Sequence, residues 1–479
     1  MKKAKNFNQS KTFIFLVLAL FLSGLVTACV PPEQSNGNTQ TNTNSFSAQT
    51  SNTNVANTAQ PVKTQSNSHL PVTLPVLDAM FYDEEFAQEL KTKLQLNDQQ
   101  IEQIKNISRE AVGNLGEDAG EEYSGSTRAA TQRAEEQIRG ILGDEKANQL
   151  FEAVRARWSS GETELAAGQP NSVPSDTRIV VNAPAYRMDV FQDGKLMKTY
   201  LVGIGYPEFP LPTGIRKADT IIFNPTWTPP DEPWVKGKVK PGQKVEAGSK
   251  LNPLGPIKIP IGLPSLIHGG KDPSRLGGFA SHGCVGLTNA QVQDFSLVLA
   301  QVSGAQLTPE DVKNYEMQKT ETKNFKLGNA VPVELRYETI VVEDGKLKIF
   351  RDVYERGTNT VENLRRVLDA NGVAFDSLNE KERQSIIQAL NDMNKDAQGN
   401  SIVENVETAA YGSGTANTSN ANNSNSSNAN SNFNSSNKNA NSDGGKVTRS
   451  IKGKKESVIQ LSQLQGKGYP APVALSAGK

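Results

Sequence analysis

The sequence predicts a multi-domain chain in which an α-helical domain precedes a mostly β domain, with disordered linkers around them. Three observations carry that reading. Apolar residues recur at helical spacing between Leu77 and Trp158. From Arg178 the pattern changes to short β-rich runs punctuated by Gly and Pro. Two long tracts of Asn, Ser and Thr lack the large apolar side chains that would offset the entropy of ordering them.

The 479 residues leave room for two or three domains at about 100–200 residues each. Lys plus Arg equals Asp plus Glu at 51 apiece, so the charge balance gives no sign of nucleic acid or an acidic polymer as partner.

Residues 1–29 read as an export signal. Lys2, Lys3, Lys5 and Lys11 precede the apolar run Phe13 to Leu22, which then reaches Val26-Thr27-Ala28-Cys29. That ending resembles the lipobox of bacterial lipoproteins. The resemblance implies a lipidated Cys29 as the first mature residue and a protein held at a membrane, facing the periplasm or cell wall. Val30, where an aspartate often marks inner-membrane retention, points to the outer membrane of a Gram-negative host. An uncleaved anchor is the competing reading, although the run is short against a span of roughly 20 residues.

Residues 30–76 form an Asn/Thr/Ser-rich tether. Residues 77–165 are helical: Leu94, Ile101, Ile104 and Ile107 share one face, and Ile138, Ile141, Leu142, Leu150, Phe151 and Val154 form a second stripe. Asn97 and Gln100 fit a capping box. A helical hairpin serving as a spacer satisfies the pattern.

Residues 178–303 carry the β domain. Ile179 to Asn182, Tyr186 to Phe191 and Lys195 to Val202 are strands, the last two joined by Asp193-Gly194. No βαβ rhythm appears, so the sheet is expected to be mostly antiparallel, with short helices. Thr288 with Gln291 caps a helix bearing Val292, Phe295 and Leu299. An inserted polar helix is expected over 304–329, and a β extension with a helical cap over 330–395. An Asn/Ser-rich disordered linker follows over 411–445. The basic tail 446–479 reads as solvated, with a weak contact arm as the alternative.

Chemistry concentrates near Cys284. It lies in Ser281-His282-Gly283-Cys284-Val285-Gly286-Leu287, downstream of His268-Gly269-Gly270. The chain has two cysteines, and with Cys29 carrying lipid, Cys284 would have no partner in an oxidising compartment. An imidazole raises the thiolate fraction of a nearby thiol, and backbone N–H groups on a glycine-rich turn can hold a tetrahedral oxyanion. A carbonyl near Gly269 could fix the tautomer of His268, since no acidic residue is reserved as a third member. Three other readings stay open on spacing alone: a buried structural thiol, a zinc site using His268, His282 and Cys284, and a His282 that merely bonds to its loop.

The segment His268-Gly269, loop, Ser281-His282-Gly283-Cys284 resembles the catalytic motif of YkuD-type L,D-transpeptidases. Pro210-Leu211-Pro212-Thr213-Gly214, Asn224 to Pro230 and Asn252 to Pro256 match further stretches of that family, and Asp272-Pro273 and Leu276-Gly277 fall inside the motif loop. The resemblance implies an antiparallel β catalytic domain, Cys284 as nucleophile and His268 as general base. It further implies a pocket shaped by Ser281, His282 and Gly269, and oxyanion donors at the Gly283 and Cys284 N–H groups. Peptidoglycan tetrapeptide stems would be the partner, and a 3–3 cross-link or a wall-attached lipoprotein the product. No metal or cofactor is implied. A same-fold hydrolase and a non-catalytic wall-binding lipoprotein are the alternatives. Gly286 departs from the pattern, which usually has Arg or Asn there.

Overall fold

The computed structural model describes residues 69–113, 126–159, 169–229, 239–240, 242–262, 264–402, 448 and 450–473. The leader, Cys29, most of the tether and the 411–445 tract lie outside them.

Helices α1 (Leu74–Met80), α2 (Glu84–Lys93), α3 (Asp98–Gly113), α4 (Thr127–Leu142) and α5 (Asp144–Trp158) share one apolar core. The two stripes anticipated from periodicity meet there through Ile101, Ile104, Ile138, Leu150, Phe151 and Val154. Asn97 Oδ1 accepts the Gln100 N–H at 2.8 Å and Gln100 Oε1 accepts the Asn97 N–H at 3.2 Å, forming the capping box. The layer starts earlier than expected. Leu70, Val72, Leu74 and Val76 are buried, so the tether gives way to folded chain before residue 77.

In the β domain, β1 (Arg178–Asn182), β2 (Arg187–Gln192) and β3 (Lys195–Leu201) form an antiparallel meander. Asp193 and Gly194 both take positive φ, as a two-residue hairpin turn demands. Next come β4 (Ile204–Gly205), β5 (Gly214–Phe223), β6 (Ile257–Pro260), β7 (Leu266–His268), β8 (Phe279–Ser281) and β9 (Val285–Gly286). Helix α6 (Asn289–Val302) opens on a complete Thr288/Gln291 capping box. It buries Val292, Phe295 and Leu299, with the Phe295 ring edge-on to Tyr200 at 5.6 Å.

Helix α7 (Pro309–Met317) occupies only part of the segment expected as an inserted polar helix, and β10 (Lys323–Arg336) follows at once. This strand is no peripheral extension. It is a central strand of an eight-stranded sheet ordered β3-β2-β1-β10-β5-β6-β7-β9, parallel to β1 and antiparallel to β5. A register break between Lys326 and Val331 hides its first half, where Gly328 and Asn329 resemble a loop. The sheet is antiparallel as expected except at β1–β10 and β7–β9.

Strands β11 (Ile340–Glu343) and β12 (Lys346–Phe350) begin a second sheet, covered by α8 (Val361–Ala370) and α9 (Glu380–Met393). Its third strand is β13 (Glu456–Gln460), paired with β12. The C-terminal segment is therefore not a solvated tail in its described part: Leu461 and Leu464 are buried in the core of this unit, and Tyr469 packs edge-on to Phe191. Alternating exposure along β13, with few apolar residues, made it read as polar chain.

Candidate active site

Strands β7 and β9 run parallel, pairing Ile267 with Val285 and His268 with Gly286. Extending that register sets Cys284 opposite Leu266. Because side chains alternate along strands, Cys284 and His268 fall on one face as diagonal neighbours. The sequence separates them by a loop, and the sheet brings them together.

His268 is buried, and its Nδ1 lies 2.7 Å from the Gly269 carbonyl. A carbonyl can only accept, so Nδ1 carries the proton and Nε2 is left as the basic nitrogen. The carbonyl thus fills the orienting place that a carboxylate often takes. Burial, with the nearby positive charge of Lys271 in support, pushes the His268 pKa down to about 3. The ring is neutral at physiological pH and free to take a proton. Burial likewise raises the Cys284 thiol above its ordinary range, while the Leu266 backbone and the charges of Lys271 and Lys258 oppose that shift. Although its surroundings are dense, Cys284 as a residue keeps partial solvent access. The resting pair is accordingly a thiol beside a neutral imidazole.

The turn carrying Cys284 is built by Ser281 and Gly283. Ser281 Oγ accepts the Cys284 N–H at 3.0 Å and donates to the Cys284 carbonyl at 2.5 Å. Gly283 holds φ +89°, which a side chain would strain, and its carbonyl accepts the Ser265 hydroxyl at 2.8 Å. Of the two N–H groups expected to face an oxyanion, that of Cys284 is engaged by Ser281. It becomes available only if the hydroxyl turns away.

His282 lies two residues before Cys284, against aromatic rings. Its ring is held edge-on by Tyr206 at 5.0 Å and Phe209 at 4.8 Å, which fits a wall of the pocket. Sequence reasoning passed over Lys258 and Lys271. Lys258 alternates with buried Ile257 and Ile259 on β6 and pairs with His268 across the strands, a relation visible only once the register is known. A separate cavity of about 500 Å³, lined by Arg336, Tyr337 and Arg356 among others, includes neither Cys284 nor His268.

A thiol on a glycine turn and a tautomer-fixed imidazole on one sheet face are an arrangement that can support thiol-based acyl transfer. Residues 176–302 match the family model of the YkuD L,D-transpeptidase catalytic domain, and the protein carries that domain there. No curated protein matches the chain. Among solved structures, it is similar to the catalytic domain of the Enterococcus faecium L,D-transpeptidase. That match has 18% identity over 34% of this chain and 100% of the other, with a TM-score of 0.22. A mutant of the E. faecium enzyme matches at 18% identity over 34% of this chain and 50% of that one, TM-score 0.21. An L,D-transpeptidase from Mycobacterium smegmatis matches at 17% over 34% and 58%, TM-score 0.21. The alignment thus spans only about half the length of the longer chains.

Proposed function

We propose that the protein is a cysteine-dependent L,D-transpeptidase acting on peptidoglycan tetrapeptide stems. The observation that carries the reading is the β7–β9 register, which sets His268 beside Gly286 two residues from Cys284, with the His268 Nδ1–H committed to the Gly269 carbonyl. Nε2 takes the thiol proton as sulfur attacks the carbonyl before the terminal D-alanine. Negative charge on the tetrahedral oxygen meets the Gly283 N–H and, once Ser281 turns, that of Cys284. His268 returns the proton to the leaving amine, D-alanine departs, and a thioester remains on Cys284. An amine from a second stem or a wall-linked lipoprotein then attacks the thioester, giving its proton to His268 and restoring the thiol. Export with Cys29 lipidated would hold the domain beside this substrate.

The test is incubation of purified protein with disaccharide-tetrapeptides, read by mass spectrometry. D-alanine and a 3–3 dimer are expected, and both should vanish in Cys284→Ala and fall at least about a hundredfold in His268→Gln. D-alanine without dimer would make the protein a hydrolase. Neither product would remove the proposal.

A further inference from the structure

Gly286, where the chain departs from the family pattern, is occupied space. A Cβ built there would lie 2.7 Å from Lys271 Cγ, 3.0 Å from Cε and 3.3 Å from Cδ. The aliphatic stem of Lys271 therefore crosses the face of Gly286, and a side chain there would push it aside. The Lys271 backbone is pinned in turn, its N–H donating to the Leu287 carbonyl at 3.0 Å. Gly286 itself is fixed between two neighbours: it pairs with His268 on one side and exchanges both backbone hydrogen bonds with Gly203 on the other, at 2.8 and 2.9 Å.

This route brings the ammonium to the reacting pair. Gly286 is two residues beyond Cys284 on the same face and directly beside His268. Lys258, paired with His268 from the opposite side, supplies a second positive charge. Both lysines act electrostatically on His268 and on Cys284.

We propose that Lys271 binds the free C-terminal carboxylate of the donor peptide, making the site specific for acyl donors whose scissile bond precedes a single terminal residue. The inference rests on the transpeptidase reading and names what that site recognises. Its geometry follows from the chain: consecutive residues are about 3.8 Å apart, so the carboxylate of the leaving residue lies within one residue's length of the carbonyl under attack. A cation that reads it must stand beside the thiol, as Lys271 does. Gly286 is then the residue that lets the cation in, and the side chain missing from the motif is replaced by one arriving from the loop.

The probe is alkylation of Cys284 by anionic iodoacetate and neutral iodoacetamide, followed by peptide mass mapping of the intact, folded protein. Taking the ratio of the two rates cancels any change in thiolate fraction and isolates attraction of the anion. In wild type the ratio should exceed that of a free cysteine peptide. Lys271→Met, which keeps the stem, should lower it about fivefold to tenfold, and Lys271→Arg should retain it. With tetrapeptide donors, Lys271→Met should raise KM about tenfold for the C-terminal acid and not for the C-terminal amide. Gly286→Ala, by displacing the stem, should shift both readouts in the same direction. An unchanged alkylation ratio in Lys271→Met, or equal losses on acid and amide donors, overturns the role given to Lys271. Failure of wild type to release D-alanine overturns the transpeptidase reading instead, and the alkylation ratio still decides whether Lys271 attracts a carboxylate.

Discussion

At the scale of single residues, the proposed nucleophile stood out in the sequence because Cys284 is isolated, flanked by glycines and close in sequence to two histidines. What could not be read was the register. The pairing of β7 with β9 sets His268 beside Gly286, two residues from Cys284, and the packing holds the His282 ring against Tyr206 and Phe209. The engagement of the Cys284 N–H by Ser281 was equally hidden, because a hydroxyl three residues away can point anywhere. The electrostatics lead to a pH prediction. Burial holds the thiol up and the imidazole down, which favours a thiol beside a neutral imidazole over a thiolate–imidazolium pair at neutral pH. The rate of Cys284 alkylation by iodoacetamide should therefore rise through pH 7 and 8 towards an inflection above the ordinary thiol value of 9.0. An inflection below pH 6 would mean that a preformed ion pair exists and that this assignment is wrong.

At the scale of elements, local signals served well where one element satisfies itself. The Thr288/Gln291 and Asn97/Gln100 boxes and the Asp193-Gly194 turn formed as read, since each depends on a few adjacent residues. Elements defined by distant partners were misread. Half of β10 looked like helix or loop because its pairing breaks at Gly328 and Asn329, and β13 looked like tail because its partner β12 lies about a hundred residues earlier. Charged groups also join elements in ways periodicity cannot reveal. Arg187 on β2 donates to Asp189 and, at 2.6 Å, to Glu343 on β11, while its guanidinium lies 5.2 Å from the Tyr469 ring. All three charged side chains are almost wholly buried. Arg187→Ala would leave the buried Asp189 without its cation, while Glu343 keeps Lys348 at 2.5 Å, a loss of about 3 kcal/mol. Urea denaturation should show it as a lower midpoint. A change under 1 kcal/mol would mean that water reaches and solvates the pair.

At the scale of the whole molecule, distant parts of the chain converge on the loop after β4. Thr73 of the helical layer donates to the Glu208 carbonyl at 2.6 Å, and Thr127 donates to that of Pro207 at 2.9 Å. Thr448, which precedes β13 in the chain, donates its hydroxyl to the Glu208 carboxylate at 2.8 Å. Phe209, the next residue, packs on His282. The helical layer is thus more than a spacer: it abuts the loop that walls the candidate active site. No periodicity announces this, because the contacts run through single hydroxyls and backbone carbonyls scattered over the chain. Glu208 sits at the centre of the junction, and burial raises its pKa from 4.5 to about 7 despite the Thr448 hydrogen bonds. The sign follows from linkage. A carboxyl whose folded pKa is raised binds its proton more tightly in the native state. Its stabilising contribution is complete below about pH 4.5 and is lost as the pH climbs through about 7. Across that window the protein should lose up to roughly 3 kcal/mol relative to Glu208→Gln, which cannot ionise. Thermal melts of both proteins from pH 5 to pH 8 measure it directly: the advantage of the glutamine variant should widen as pH rises. If the two melting curves stay parallel, Glu208 is solvated in the folded protein and the junction is open to water.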